Sequence, residues 1–112
     1  MFSDVHSRSP LESEYQNHAL RPGKSYTPGF DHDRGMFEAL DGETLDGGHG
    51  TLNVYAVHRK GDDRFLQLAL VGVTTHYLVM KLSPDATPEA VLTALEEWAV
   101  DPDPSTRLLH VS

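Results

Sequence analysis

The densest group of side chains that could do chemistry is the tripeptide Asp31-His32-Asp33. Carboxylate oxygens and imidazole nitrogens can together hold a divalent cation, and His49 would add a ligand if the fold brought it close. Neighbouring residues rarely bind one ion unless a constrained turn orients them, so the sequence favours a solvated loop here. Asp31, His32, Asp33 and His49 are kept as the candidates for a metal site.

His58 and His76 are candidate general bases, because an imidazole titrates near neutral pH. In the sheet that the sequence predicts, His58 ends the first strand and His76 begins the third, which separates them by about 13 Å along the strands. We therefore do not expect them to share a metal ion, and we interpret each as a half-buried residue at the margin of the core. An enzyme or ligand-binding domain that combines one of them with the Asp31–Asp33 cluster is the alternative function.

Other motifs for catalysis or cofactor binding are missing from the sequence. The chain has no cysteine, which excludes disulfides, thiolate catalysis and cysteine-ligated metal centres. Gly23-Lys24-Ser25 matches only the end of a phosphate-binding loop, because His18 stands where that loop needs its first glycine. Neither H-E-x-x-H nor G-x-S-x-G occurs. We therefore identify no catalytic residue, expect no cofactor and favour a non-enzymatic protein.

The composition is that of one acidic domain. The 112 residues include 9 Lys and Arg against 17 Asp and Glu, a formal net charge of −8. This charge disfavours nucleic acid and anionic lipid as partners, since both polyanions select clustered Lys and Arg. The first residues lack the basic and apolar regions of a signal peptide, and no run approaches the roughly 20 apolar residues of a membrane span. We therefore expect no membrane partner and a cytoplasmic location.

Apolar residues divide the chain into an arm and a core. Residues 1–35 contain nine of them and residues 36–112 the other thirty-four. The first part is therefore interpreted as a polar, largely irregular N-terminal arm, with a loop over residues 31–35. The capping-box spacing that begins at Ser9 predicts one short helix in it, over residues 10–20. Residues 36–40 fit either an edge strand or one helical turn.

Residues 36–112 are predicted to form a single α+β domain. We predict strands at about 51–59, 64–73 and 75–82, a helix over 88–100 and, as an open possibility, a last strand over 106–111. This order indicates a two-layer architecture in which an antiparallel meander of three to five strands packs against one C-terminal helix. If Ala56 pairs with Leu68 and Leu68 with Leu78, the even-numbered residues of the three strands form the core face.

The first hairpin of this meander gathers basic side chains. Arg59, Lys60, Arg64 and Lys81 are expected near its tip, where Asp62 and Asp63 cancel part of their charge. We interpret this group as a neutralised surface hairpin and not as a contact for nucleic acid.

The odd-numbered face of the meander is unusually apolar for a solvent-facing surface. We predict a partner-binding surface on it, formed by Tyr55, Val57, Phe65, Val71, Tyr77 and Val79. Three alternatives for its cover stay open: the N-terminal arm, a protein partner or second copy of the chain, and a small apolar ligand. For the arm, the covering residues would be Leu11, Tyr15, Phe30, Met36 and Phe37. The resulting hypothesis is a small acidic interaction module of the adaptor, chaperone, immunity or regulatory type that uses this face and the arm.

Overall fold

The computed structural model describes residues 24–112, which form a six-stranded sheet and two α-helices. In chain order the elements are β1 (Ser25–Tyr26), α1 (Asp31–Leu40), β2 (Thr44–Leu45), a 3-10 turn (Asp46–Gly48), β3 (Gly50–Lys60), β4 (Asp63–Val71), β5 (Thr75–Leu82), α2 (Pro88–Val100) and β6 (Leu108–Val111). The predicted α+β class is confirmed. The predicted helix over residues 10–20 lies outside the described residues.

The sheet is mixed, with the strand order β1-β3-β4-β5-β6 and β2 paired to the start of β3. Its centre is the predicted antiparallel meander of β3, β4 and β5. The prediction of an antiparallel meander of three to five strands is wrong in its count and for the outer strands, because the sheet has six strands and β1 pairs with β3 and β6 with β5 in parallel. Parallel neighbours need a long crossover, and the helices α1 and α2 provide one on each side.

A β-bulge at Tyr55 changes the register of β3. Val54 pairs with Leu68, but the next paired residue, Ala56, lies opposite Gln67. The predicted pairing of Ala56 with Leu68 is therefore wrong, whereas the pairing of Leu68 with Leu78 is confirmed. One extra residue in a strand reverses the alternation of the side chains that follow it.

The reversal moves the second half of β3 to the opposite faces of the sheet. Val57 pairs with Leu66, is fully buried and belongs to the main core, so its predicted place on the partner-binding face is wrong. Ala56 and His58, which were expected in the core, lie on the other face instead, opposite Gln67 and Phe65.

Both helices pack on the core face of the sheet. Met36 and Leu40 of α1 share one buried cluster with Val91 and Leu95 of α2 and with the leucines of β4 and β5. The prediction of a loop over residues 31–35 is wrong, because these residues form the first half of α1. Residues 36–40 form the second half, which is the helical one of the two alternatives. No side chain caps the start of α1, so the burial of its inner face against the sheet, and not a local signal, stabilises it.

The helix α2 follows its sequence signals closely. It spans Pro88–Val100, the range that the sequence predicts. The Thr87 hydroxyl accepts a hydrogen bond from the backbone N–H of Ala90 at 3.2 Å, and Pro88 occupies the first helical position. Within residues 24–112 neither helix has the length and apolar character needed to cross a membrane.

The outer edge of β3 is closed by the segments that precede it. Gly42 donates its N–H to the carbonyl of Leu52, and Leu52 donates its own N–H to the carbonyl of Glu43. The Asp41 carboxylate accepts a hydrogen bond from the N–H of Val54 at 2.9 Å. Further along, Thr27 donates its N–H to the carbonyl of Val57. Because these backbone groups are already paired, this edge is not open to strand addition by a partner.

The bulge can be tested by removing methyl groups from either side of the sheet. Val57→Ala should lower the free energy of unfolding by about 2 kcal/mol, because it leaves a cavity in the core. The control Val71→Ala should change it by less than about 0.5 kcal/mol, since that side chain is partly exposed. Urea titrations measure both values, and equal losses for the two variants would contradict the register.

Candidate protein-interaction surface

The face of the sheet opposite the helices, here called the second face, carries most of the predicted partner-binding residues. Within β4 and β5 its side chains alternate with those of the core. It comprises Asn53, Tyr55, Ala56, His58, Phe65, Gln67, Ala69, Val71, Thr75, Tyr77, Val79 and Lys81. Five of the six predicted partner-binding residues lie on it: Tyr55, Phe65, Val71, Tyr77 and Val79.

Exposure divides the second face into a buried centre and an open end. Phe65 and Val79 are only 4% and 1% exposed. Val71 and Tyr77, towards the β4–β5 turn, are each 44% exposed, and Tyr55 is half-buried. The predicted surface is therefore accessible only in its Tyr55, Val71 and Tyr77 part.

The open end is organised around two tyrosines. The rings of Tyr55 and Tyr77 stack, with their centroids 6.4 Å apart and their planes at 26°. The Nζ atom of Lys24 lies 5.7 Å from the Tyr55 ring centroid and bonds Asn53 and the Asp41 carboxylate. Lys24 therefore lies against one tyrosine of the pair, and the other tyrosine projects from the paired strand β5.

Further apolar side chains extend this end of the molecule beyond the predicted residues. Val73, at the tip of the β4–β5 turn, is fully exposed, and Val100 in the last turn of α2 is 74% exposed. Val73 was predicted to end the second strand, but that strand ends at Val71, and the turn that follows places Val73 in solvent. Val100 continues the helix past its last core residue, Ala99.

His76 and Trp98 form a ridge beside this end. Their ring centroids are 5.2 Å apart in an edge-to-face arrangement, and both residues are half-buried. A cleft of about 220 Å³ lies on one side, lined in part by His49, Leu70 and Val73. A second cleft of about 320 Å³, lined in part by Tyr77 and Pro104, lies on the other. We name the whole region, from Val71, Val73 and Tyr77 to the His76–Trp98 ridge, the hairpin-end surface.

The predicted metal candidates are not assembled at one place. Asp33 is buried, and its Oδ2 lies 3.3 Å from Nε of Arg59 near the end of β3. His32 is half-exposed, with Nε2 3.5 Å from Oδ1 of Asp33, and Asp31 is exposed. His49 precedes the first residue of β3, so the length of that strand, about 30 Å, separates it from the others. Among residues 24–112 no three His, Asp or Glu side chains form a metal-binding group.

At the β3–β4 turn, the predicted cluster of basic side chains on the surface is wrong for two residues. Arg59 lies two residues after Val57 and therefore on the same face of β3, which is the core face. Arg64 pairs with Arg59 and lies on that face too. Arg64 is 2% exposed and donates from Nη2 to the carbonyl of Ala86 at 2.8 Å. Burial lowers the pKa of Arg64. The negative charge of Asp33 opposes this effect, and the positive charge of Arg59 adds a smaller lowering. Lys81 keeps the expected neutralising contact, at 3.6 Å from Asp63.

His58 lies on the second face and is half-buried, as is His76 on the core face of β5. The His58 ring lies 5.7 Å from that of Phe65, and its Nε2 is 3.4 Å from Nε2 of Gln67. The two histidines occupy opposite ends of the meander, which is the separation that the sequence predicts.

No protein-family model, no curated protein and no solved structure matches this chain.

The role of Asp33 can be separated from that of its neighbour in the same helical turn. Asp33→Ala should lower the free energy of unfolding by about 3 kcal/mol, because it leaves the Arg59 charge without its buried partner. The matched control Asp31→Ala removes an exposed carboxylate and should cost less than about 1 kcal/mol. Urea unfolding with and without a chelator is the measurement.

If Asp33 were a metal ligand, the Tm values of the two chains would respond differently to added metal. Zinc or manganese would then raise the Tm of the unsubstituted chain but not that of the Asp33→Ala variant. Equal Tm values with metal and with chelator for both chains are expected instead.

Proposed function

We propose that this protein is a small acidic non-enzymatic interaction module that binds a protein partner through the hairpin-end surface. The observation that supports it is the clustering of exposed apolar side chains. Of the six large apolar side chains that are exposed within residues 24–112, three belong to this surface: Val71, Val73 and Tyr77. Exposed apolar side chains that cluster in this way are typical of interaction sites, whereas single ones are common on any surface.

The composition of the surface also suits a protein interface. Tyr and Trp supply large contact areas with few rotatable bonds, and they are enriched among residues that dominate binding energy. Tyr55, Tyr77 and Trp98 provide three such rings within one region. Since β4 and β5 are fully paired with each other, the partner would not have to order this surface when it binds.

The sizes of the clefts favour a protein partner over a small molecule. Sites for small molecules commonly enclose about 300–1,000 Å³. The clefts beside the His76–Trp98 ridge, at about 220 and 320 Å³, lie below or at the lower end of that range. They suit one or two side chains inserted by a partner.

This proposal restricts the predicted partner-binding surface to its exposed part and keeps the predicted class of function, a protein-interaction module. Adaptor, chaperone, immunity and regulatory proteins all belong to this class, and a second copy of the chain is a partner of the same kind. The net charge of −8 supports a protein partner over a nucleic acid, and a cytoplasmic location is part of the proposal.

A photo-crosslinking residue at the hairpin-end surface tests the proposal. We expect p-benzoylphenylalanine in place of Tyr77 to give one discrete adduct in cells, because a partner buries that position. In place of Tyr26, which is 40% exposed at the opposite end of the sheet, it should give none. Denaturing gels and mass spectrometry identify the adducts.

A second substitution makes the crosslinking experiment specific. Val73→Asp in the chain with the Tyr77 crosslinker should reduce the adduct at least tenfold, because a charge would then have to be desolvated in the interface. An adduct of about twice 12.4 kDa would identify a second copy as the partner. Equal labelling from positions 77 and 26, or insensitivity to Val73→Asp, would overturn the proposed surface.

A further inference from the structure

The centre of the second face is shielded from water, although no described helix lies on it. Phe65, Gln67, Ala69 and Val79 are each at most 4% exposed. Both α1 and α2 pack on the opposite face, where their buried residues join the main core. A paired sheet that is open on one side exposes the side chains of that side, as antiparallel sheets commonly do. Something besides the described elements therefore covers this centre.

The described chain begins at the rim of the same face. Lys24 places its Nζ atom over the Tyr55 ring and against Asn53, both of which lie on the second face. The next residue, Ser25, is paired beside Ala56, also on this face. The C-terminal end of the segment formed by residues 1–23 therefore lies next to the shielded centre.

The length and pattern of those residues fit the area to be covered. The shielded residues Ala56, Gln67 and Val79 lie side by side on β3, β4 and β5, which span about 10 Å at the usual spacing between strands. A helix over the predicted residues 10–20 would be about 16 Å long. Leu11, Tyr15, Ala19 and Leu20 would form one apolar stripe along it. The three residues 21–23 are enough to reach Lys24 from its end.

We propose that residues 1–23 occupy the centre of the second face as an intramolecular ligand, with the apolar stripe of residues 10–20 against Phe65, Ala69 and Val79. The segment leaves the hairpin-end surface open and divides the second face into a self-occupied part and a part for the partner. Phe30, Met36 and Phe37, which the sequence grouped with this cover, are not part of it. Met36 and Phe37 pack with the main core, and Phe30 lies against Arg59.

The absence of cysteine makes the proposal testable by thiol labelling in the full-length chain. Ala69→Cys introduces a reporter at the shielded centre. Its alkylation should be slow in the otherwise unchanged chain and at least tenfold faster after Leu11→Asp with Tyr15→Asp. The matched pair Ser13→Asp with Asn17→Asp adds the same charges at the same spacing on the other side of the predicted helix, and it should leave the rate unchanged.

A second measurement keeps the proposal testable if the aspartate variants unfold. In the full chain, Tyr15→Cys with Tyr77→Cys should form an intrachain crosslink with a short bis-maleimide. Tyr15→Cys with Thr93→Cys should not, because Thr93 is exposed on α2 at the opposite face.

Three results would overturn the proposal. The first is equal acceleration by the two aspartate pairs, and the second is equal crosslinking of Tyr15→Cys to positions 77 and 93. The third is protection of Ala69→Cys that increases with protein concentration while light scattering shows a dimer, because a second copy would then be the cover. None of these readouts depends on the partner at the hairpin-end surface, so this proposal and the proposed function can fail separately.

Discussion

The bulge at Tyr55 is the constraint on which the arrangement of the molecule depends. One unpaired residue in β3 brings Val57 and Arg59 to the helix side of the sheet and moves Ala56 and His58 to the other. Without it, β3 would present a small side chain and an imidazole to the core. With it, the core gains a buried valine, and Arg59 comes within 3.3 Å of the Asp33 carboxylate.

The position of α1 follows from that placement. An ion pair between Asp33 and Arg59 joins the first turn of the helix to the end of β3, and Met36 and Leu40 bury its inner face. A buried carboxylate is costly unless an opposite charge accompanies it, so this contact selects one position of α1 on the sheet. The connection from α1 to β3 then closes the outer edge of that strand through Asp41, Gly42 and Glu43. The backbone groups along this edge of β3 are therefore paired within the chain.

Both described helices lie on the core face, and exposure divides the second face into two parts. Its centre is shielded, whereas its end at the β4–β5 turn exposes Val71, Val73 and Tyr77. The proposed intramolecular cover and the proposed partner-binding surface occupy different parts of this face. The acidic charge and the small clefts are consistent with a protein as the occupant of the open end.

Local sequence signals by themselves determined the meander, the turn residues and α2, because alternation, Gly-containing turns and the Thr87-Pro88 start each act within a few residues. They also indicated an apolar second face. Only the tertiary structure decided the bulge, the parallel outer strands, the helical state of residues 31–40 and the burial of Asp33 with Arg59. Each of these depends on contacts between residues far apart in the chain, such as Asp33 with Arg59 or β5 with β6. A regular period-2 pattern cannot show where one strand gains an extra residue, so Val57 was assigned to the wrong face.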